Sequence, residues 1–221
     1  GNMSGFTHMV TQQNPNLSAL TDALGESYSI MDIYFKPFTA CRHTHGSAQA
    51  ILELHSEQTI NPDDIDSIEV FTYGMALLAV GKGLNEEKSL VSAQFSIPYI
   101  VATCLLDGVL GPQQLTEERI KNPRIQELIG KTKVSVDEEL NRVYPGKTSS
   151  RVEITMKDGT RLVRQVDIPL GDPRIPLEEK ALIEKTHKFA VTRDHSRVDQ
   201  VIERILNLEK LSNIAELNEL I

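Results

Sequence analysis

The sequence predicts an α+β fold in which a small sheet with a β-hairpin is packed by helices and followed by C-terminal helices. Two β-branched segments, 151–156 and 161–168, flank Asp158-Gly159, a dipeptide that favours a tight hairpin turn. A third segment, 65–73, has the same β-branched and aromatic character. The run 97–106 is almost entirely apolar, which predicts a helix buried on nearly every side.

Residues 1–33 are expected to form a polar N-terminal segment that is partly helical. Asn14-Pro15-Asn16 is typical of a turn, and a short helical segment over 17–24 should stop at Gly25. A longer helix is expected to begin near residue 45 and to end before the turn residues of 61–64.

The middle of the chain, residues 34–175, is the predicted α+β domain. After the first strand, residues 74–89 are expected to form a mobile excursion, and Gly81-Lys82-Gly83 within it does not satisfy the GxxxxGK[ST] phosphate-loop spacing. The buried helix should begin after Ser96 and end at Asp107-Gly108. Two short helices and a strand complete the domain, over 116–121, 123–129 and 132–136.

From Pro176 the chain is predicted to be helical to its end, over residues 176–221. The first of these helical segments carries Leu177, Ala181, Leu182, Lys185 and Phe189. Asp194 is expected to cap a second segment, whose apolar stripe consists of Val198, Val201, Ile202, Ile205 and Leu208. An amphipathic stripe without a partner often pairs with another copy of itself, so self-association is predicted.

Composition limits the class of protein. The 221 residues are 40% hydrophobic, enough for one good core, and the net charge of −8 argues against nucleic acid or an anionic membrane as a partner. No apolar run is long enough to span a membrane and no signal peptide is indicated, so a cytoplasmic location is expected. Cys41 and Cys104 are interpreted as free thiols.

Residues 34–46, which we call the cationic segment, contrast with this acidic chain. No Asp or Glu lies between Ile33 and Leu52, while Lys36, Arg42, His43 and His45 cluster there. Pro37 favours an extended Lys36, and the predicted helix begins near His45, where unpaired backbone N–H groups add positive potential. Such a segment is suited to binding carboxylates.

The cationic segment is also where a family resemblance is found. The motif KPFTACRHTH at 36–45, with Leu24-Gly25 before it, resembles the MmgE/PrpD family of 2-methylcitrate dehydratases, cis-aconitate decarboxylases and iminodisuccinate epimerases. Further matching motifs occur at 93–99, 105–108, 122–125, 150–159 and 171–173. By this resemblance, residues 34–175 form the family's smaller lid domain, 1–33 are the tail of its helical domain, and 176–221 return to that domain.

The resemblance implies a cofactor-independent lyase or epimerase acting on a small di- or tricarboxylate. Lys36 would clamp a carboxylate or transfer a proton, and His45 would act as acid, base or donor. Arg42 and His43 would add carboxylate contacts, and Tyr73 lies near a functional tyrosine of cis-aconitate decarboxylases. The alternatives are a solvated Lys36, a His45 bonded to backbone, an outward-pointing His43, and a Tyr73 that packs in the core.

Other interpretations of the sequence remain open. Cys41, His43 and His45 occupy alternate positions, so on an extended strand their side chains would lie on one face, where they could bind zinc. Separately, Cys41 could act as a nucleophile, since cationic residues lie beside it. The resemblance implies neither a metal nor a covalent step. The chain could also be a catalytically incomplete domain that self-associates or needs a helical-domain partner, or a module that only binds small carboxylates.

Overall fold

The computed structural model describes residues 9–10, 18, 21–190 and 193–220. The chain divides into two compact units, Gly1–Ile33 and Tyr34–Ile221. In the first unit, residues 21–26 form turns and Ser29–Asp32 forms a single 3-10 turn. The turn predicted at 14–16 lies outside the described residues, as do residues 17, 19 and 20 of the helical segment predicted over 17–24.

The second unit contains a four-stranded mixed sheet with the strand order β2-β1-β3-β4. Its strands are β1 Ile65–Thr72, β2 Thr132–Val136, β3 Ser150–Met156 and β4 Arg161–Val166. β1 pairs with β2 in parallel and with β3 in antiparallel orientation, and β3 and β4 form the predicted hairpin. The predicted α+β fold is therefore confirmed.

Helices cover one face of the sheet and extend beyond it. Those before β2 are α1 His45–Glu57, α2 Gly74–Val80, α3 Leu90–Gln94, α4 Ile97–Asp107, α5 Glu117–Ile120 and α6 Pro123–Lys131. Those after it are α7 Glu138–Arg142, α8 Glu179–Phe189, α9 His195–Leu206 and α10 Ala215–Asn218.

The core lies between the sheet and the helices α1 and α4. α1 packs on α4, β3 and β4, while α4 also packs on α6 and β2. Every residue of α4 from Ile97 to Leu105 is buried, which confirms the expectation of a helix surrounded on nearly all sides. Ser96 caps its N-terminus, and Gly108 ends it in the left-handed conformation with φ of 65°.

The prediction of a mobile excursion over 74–89 was wrong in its first part, because Gly74–Val80 forms helix α2. Ala76 and Val80 are buried, one turn apart on the same side of this helix. The first N–H of α2, from Gly74, donates to Oδ1 of Asn141 at 2.9 Å. That capping group comes from a distant part of the chain, so no local residue pattern indicates where α2 begins.

The C-terminal helices pack outside the main core. α8 begins at Glu179, slightly after the predicted start, and Asp194 caps α9 by accepting from the N–H of Ser196 at 3.0 Å. On α9 only Val198 is buried, whereas Ile205 remains about half exposed. Among the described helices, none has both the length and the apolar character needed to cross a membrane. The boundary expected at residue 175 stays a prediction.

Candidate functional site

The cationic segment is held on two sides by backbone hydrogen bonds. The N–H of Phe35 donates to the carbonyl of Gly171 at 2.9 Å, and the N–H of Cys41 donates to the carbonyl of Gln94 at 2.9 Å. Residues 42–44 then form a 3-10 turn that leads directly into α1 at His45. The segment is therefore fixed between α3 and the loop after β4, which consists of residues 167–175.

Arg42 is buried, and its side chain links the loop of residues 167–175 to the cationic segment by hydrogen bonds. Its guanidinium donates to the carbonyls of Pro169 at 2.8 Å and Leu170 at 2.9 Å, and its Cζ lies 4.7 Å from the ring centroid of Tyr34. Burial lowers the pKa of Arg42, and the nearby carboxylate of Asp172 acts in the opposite sense. A substrate contact by Arg42 stays a prediction.

His45 has no exposed surface. Its Nδ1 lies 3.4 Å from Nη1 of Arg42, and its Nε2 lies 3.3 Å from the carbonyl oxygen of Ala40. Arg42 can only donate, so the ring accepts at Nδ1 and donates from Nε2. Burial first, and then the charge of Arg42, lowers the pKa of His45 to about 3. The ring is thus neutral near pH 7 and bridges two residues of the cationic segment, and its catalytic role stays a prediction.

His43 and Tyr73 are brought together by a short hydrogen bond of 2.6 Å between Nδ1 of His43 and the hydroxyl of Tyr73. Tyr73 is almost fully buried and stacks on Tyr144, with ring centroids 4.4 Å apart. Burial lowers the pKa of His43 and raises the pKa of Tyr73, so both side chains are neutral at neutral pH. Tyr73 therefore orients the imidazole of His43, while a substrate-binding role for either residue stays a prediction.

Lys36 is exposed and borders a cleft of about 320 Å³, which we call the Lys36 cleft. The Lys36 cleft is lined by Lys36, Phe38, Thr39, Ala40, Cys41, Gln94, Phe95, Lys185 and Phe189. These described lining residues include no carboxylate, although the chain as a whole is acidic. The hydroxyl of Thr39 is buried there without a hydrogen-bond partner in the described part of the chain. The structure thus brings Lys36 and Cys41 to one cleft, and places Arg42, His43, His45 and Tyr73 outside its lining.

Lys185 is a cleft residue that sequence reasoning did not single out. It lies on α8, far along the chain from Lys36, and it forms part of the same cleft lining. The signal in the sequence was a lysine placed among apolar residues, four positions after Ala181 and four before Phe189.

The cysteine and histidine side chains of the described residues do not form a metal centre. No group of three or more His, Cys, Asp or Glu side chains among them is placed to hold a metal ion. Cys41 and Cys104 are free thiols, as predicted, and complete burial raises the pKa of the Cys104 thiol.

Comparison with known proteins identifies relatives of this chain. The family model of the MmgE/PrpD C-terminal domain matches residues 38–208. Cis-aconitate decarboxylase of Aspergillus terreus is 25% identical over an alignment that covers 98% of this chain and 47% of the relative. Mitochondrial 2-methylcitrate dehydratase of Yarrowia lipolytica is 30% identical over 66% of this chain and 29% of its own length.

A mammalian relative likewise aligns with most of this chain but with less than half of its own length. Cis-aconitate decarboxylase of Mus musculus is 25% identical over 86% of this chain and 39% of the relative. The chain therefore spans less than half the length of each of these three relatives.

Proposed function

The chain belongs to the MmgE/PrpD family, and from this premise we propose that it forms the carboxylate-binding part of a lyase or isomerase. The proposed substrate is a small di- or tricarboxylate, and the reaction is dehydration, decarboxylation or epimerisation by proton transfer at a carbon next to a carboxylate. Relatives named as cis-aconitate decarboxylase and 2-methylcitrate dehydratase support this substrate class.

The observation that carries the proposal is the position of Lys36. Proton removal beside a carboxylate builds negative charge on a group that is already anionic, so the site must supply cations and hydrogen-bond donors. Lys36 borders a cleft whose described lining contains no carboxylate to compete for its ammonium group. We therefore assign Lys36 the role of binding the substrate carboxylate, and proton transfer is its second proposed role.

Among the remaining predicted residues, Arg42, His45 and Tyr73 are given positioning roles in this proposal, and His43 is given a role in proton exchange. His45 and Arg42 connect the cationic segment to the loop of residues 167–175, and through it they keep Lys36 at the cleft. His43 is half-buried and held by Tyr73 at Nδ1. This arrangement leaves Nε2 of His43 as the imidazole nitrogen available for a proton exchange with a substrate.

The proposal is tested by incubating the chain with cis-aconitate and with 2-methylcitrate and following products by NMR. We expect turnover of at least one compound, and a loss of about 100-fold or more in kcat/KM in the Lys36→Gln variant, because a charge-assisted contact at the reacting anion is removed. Lys180→Gln is the control, since Lys180 is exposed and outside the lining of the Lys36 cleft. Equal activity of parent and Lys36→Gln would refute the role of Lys36.

A second candidate function is a carboxylate-binding module that is catalytically incomplete by itself. The observation that favours it is that the chain aligns with less than half of each relative described above. In that case citrate binds to the chain and binding is lost in Lys36→Gln, but neither substrate is converted. Absence of both turnover and citrate binding would refute both candidates.

A further inference from the structure

We propose that Lys185 is the second substrate-binding cation of the Lys36 cleft, and that the two lysines together select ligands with two or more carboxylates over monocarboxylates. This inference rests on the proposed function, in which Lys36 binds one carboxylate. It adds a residue from the C-terminal helices and a reason for the preferred class of ligand.

The geometry places the two lysines around one space. Lys36 lies on the non-helical stretch before α1, Lys185 lies on α8, and both residues line the Lys36 cleft. Both positive charges also contribute to lowering the pKa of the buried His45 ring. Since charge interactions weaken with distance, this shared effect supports the proximity of both ammonium groups to the same imidazole, and hence to each other.

Lys185 is available for a ligand. No ion pair between its ammonium group and a carboxylate is found within residues 21–190 and 193–220, and its Nζ lies 5.3 Å from the ring centroid of Phe189. A cation over an aromatic ring is held in position without losing its hydrogen-bond donors. The preceding acidic residue, Glu184, is absent from the described lining of the Lys36 cleft and lines a neighbouring cleft, to which Lys185 also contributes. Lys185 thus borders the Lys36 cleft as an oriented cation without a carboxylate partner in that lining.

The other cations near the site do not line the Lys36 cleft. The guanidinium of Arg42 is used by the carbonyls of Pro169 and Leu170, and Lys188 lines neighbouring clefts rather than this one. Lys36 and Lys185 are therefore the two cationic residues in the described lining of the cleft.

The charge balance of the cleft favours a dianion. Two ammonium groups that share a cleft without a carboxylate repel each other, and a ligand with one carboxylate neutralises half of that charge. A dicarboxylate can contact each lysine with a separate carboxylate group. A cleft of about 320 Å³ lies at the lower end of the range for small-molecule sites, roughly 300–1,000 Å³, which suits a compact polycarboxylate.

The test is calorimetric titration of the full chain with succinate, citrate and butyrate, in the parent, Lys185→Gln and Lys185→Arg. Butyrate matches succinate in chain length but has one carboxylate. We expect Lys185→Gln to weaken succinate and citrate binding by about tenfold or more, the usual size of a charge-assisted contact, and to leave butyrate binding within about twofold. Lys185→Arg should restore most of the loss, because it retains the positive charge.

The controls separate binding from folding and from the proposed function. Lys180→Gln removes a charge from the same helix outside the cleft, and thermal unfolding verifies that each variant is folded. Unchanged succinate binding in Lys185→Gln, together with a loss in Lys36→Gln, would overturn the inference and leave the proposed function intact. A parent chain that binds succinate no better than butyrate would also overturn it. If the parent binds none of the three anions, the proposed function fails and the inference fails with it.

Discussion

Gly171 is the residue at which the loop after β4 comes closest to the cationic segment. Its φ is +87°, a left-handed conformation, and a Cβ added there would lie 1.9 Å from the carbonyl oxygen of Phe35. Both the backbone conformation and the close approach require glycine. This explains physically why Gly171 stands in this loop, since any side chain would push the loop away from Phe35.

Substituting Gly171→Ala is expected to destabilise the chain more than a typical left-handed glycine substitution. Conformational strain costs about 1–2 kcal/mol, and the clash with Phe35 adds about 1–3 kcal/mol. Urea unfolding measures the total. The matched control is Gly159→Ala, where φ is +88° and no atom lies within 4 Å of the added Cβ. Equal losses in the two variants would contradict the close contact at Gly171.

His45 makes folding stability depend on pH. Its pKa falls from 6.5 to about 3 on folding, so the unfolded chain takes up a proton that the folded chain excludes. The stabilisation is fully present above pH 6.5 and is lost as pH falls from there toward 3, at up to about 1.4 kcal/mol per pH unit. We expect His45→Gln to flatten the decline in unfolding free energy between about pH 6 and pH 4.5.

The choice of pH range separates this effect from those of other groups. Carboxyl groups with a lowered pKa, such as Asp172 and Asp167, lose their stabilisation below their unfolded pKa of 3.8, under the chosen range. Burial also lowers the pKa of the half-buried His43, so His43→Gln serves as the comparison and should flatten the curve less. If His45→Gln retains the parent's slope, the ring is not held neutral in the folded chain.

Among the elements, α4 depends on the side chain of Ser96 at its start. Its hydroxyl oxygen accepts from the N–H of Tyr99 at 3.2 Å and its O–H donates to the carbonyl of Lys82 at 2.9 Å, in a fully buried position. Ser96→Ala therefore removes a cap, leaves the buried N–H of Tyr99 unpaired and takes a donor from the carbonyl of Lys82, for an expected loss of about 2–3 kcal/mol in urea unfolding. Ser89→Ala, which uncaps the short and less buried α3, should cost about 1 kcal/mol or less. A loss at Ser96 no larger than at Ser89 would show that burial adds nothing to this cap.

Elements with local signals could be predicted from the sequence, whereas those that depend on distant partners could not. The Asp158-Gly159 hairpin and the run after Ser96 carry their turn and cap residues within a few positions, and both are confirmed. α2 was missed because its capping group belongs to Asn141. The parallel pairing of β1 with β2 likewise depends on tertiary packing rather than on a local pattern.

The same distinction applies to the candidate site. Lys36 could be proposed from its motif, because charge composition and Pro37 are local features. The partners of Arg42 could not, since Pro169 and Leu170 lie more than a hundred positions away. For Lys185 the sequence shows a lysine among apolar residues of a helix, but its presence in the Lys36 cleft could not be predicted, because it depends on how α8 packs.

For the whole molecule, the main core is complete before the C-terminal helices begin. The core cluster contains no residue after Val166 among those described. Removing residues 194–221 is therefore expected to lower the free energy of unfolding by less than about 1 kcal/mol, measured by urea denaturation. As a contrast, removing residues 167–221 takes away the carbonyl partners of Arg42 and should destabilise the chain severely. A severe loss in the shorter deletion would mean that α9 and α10 support the core.

Self-association through the apolar side of α9 stays a prediction. Ile205 and Leu206, on its last turn, are 51% and 48% exposed, and Leu208 just beyond it is 45% exposed. We expect the sedimentation coefficient of the full chain to rise with concentration, and that of the chain without residues 194–221 to remain constant. Monomeric behaviour of the full chain at all concentrations would contradict this.

The separation of Lys36 and Lys185 along the chain has a consequence for biosynthesis. A ribosome adds residues from the N-terminus, so the cationic segment leaves the exit tunnel long before α8 does. The cleft that both lysines line cannot form until Phe189 has also emerged. An anion can therefore bind to both lysines only after translation has passed Phe189, and ligand binding cannot assist the earlier stages of folding.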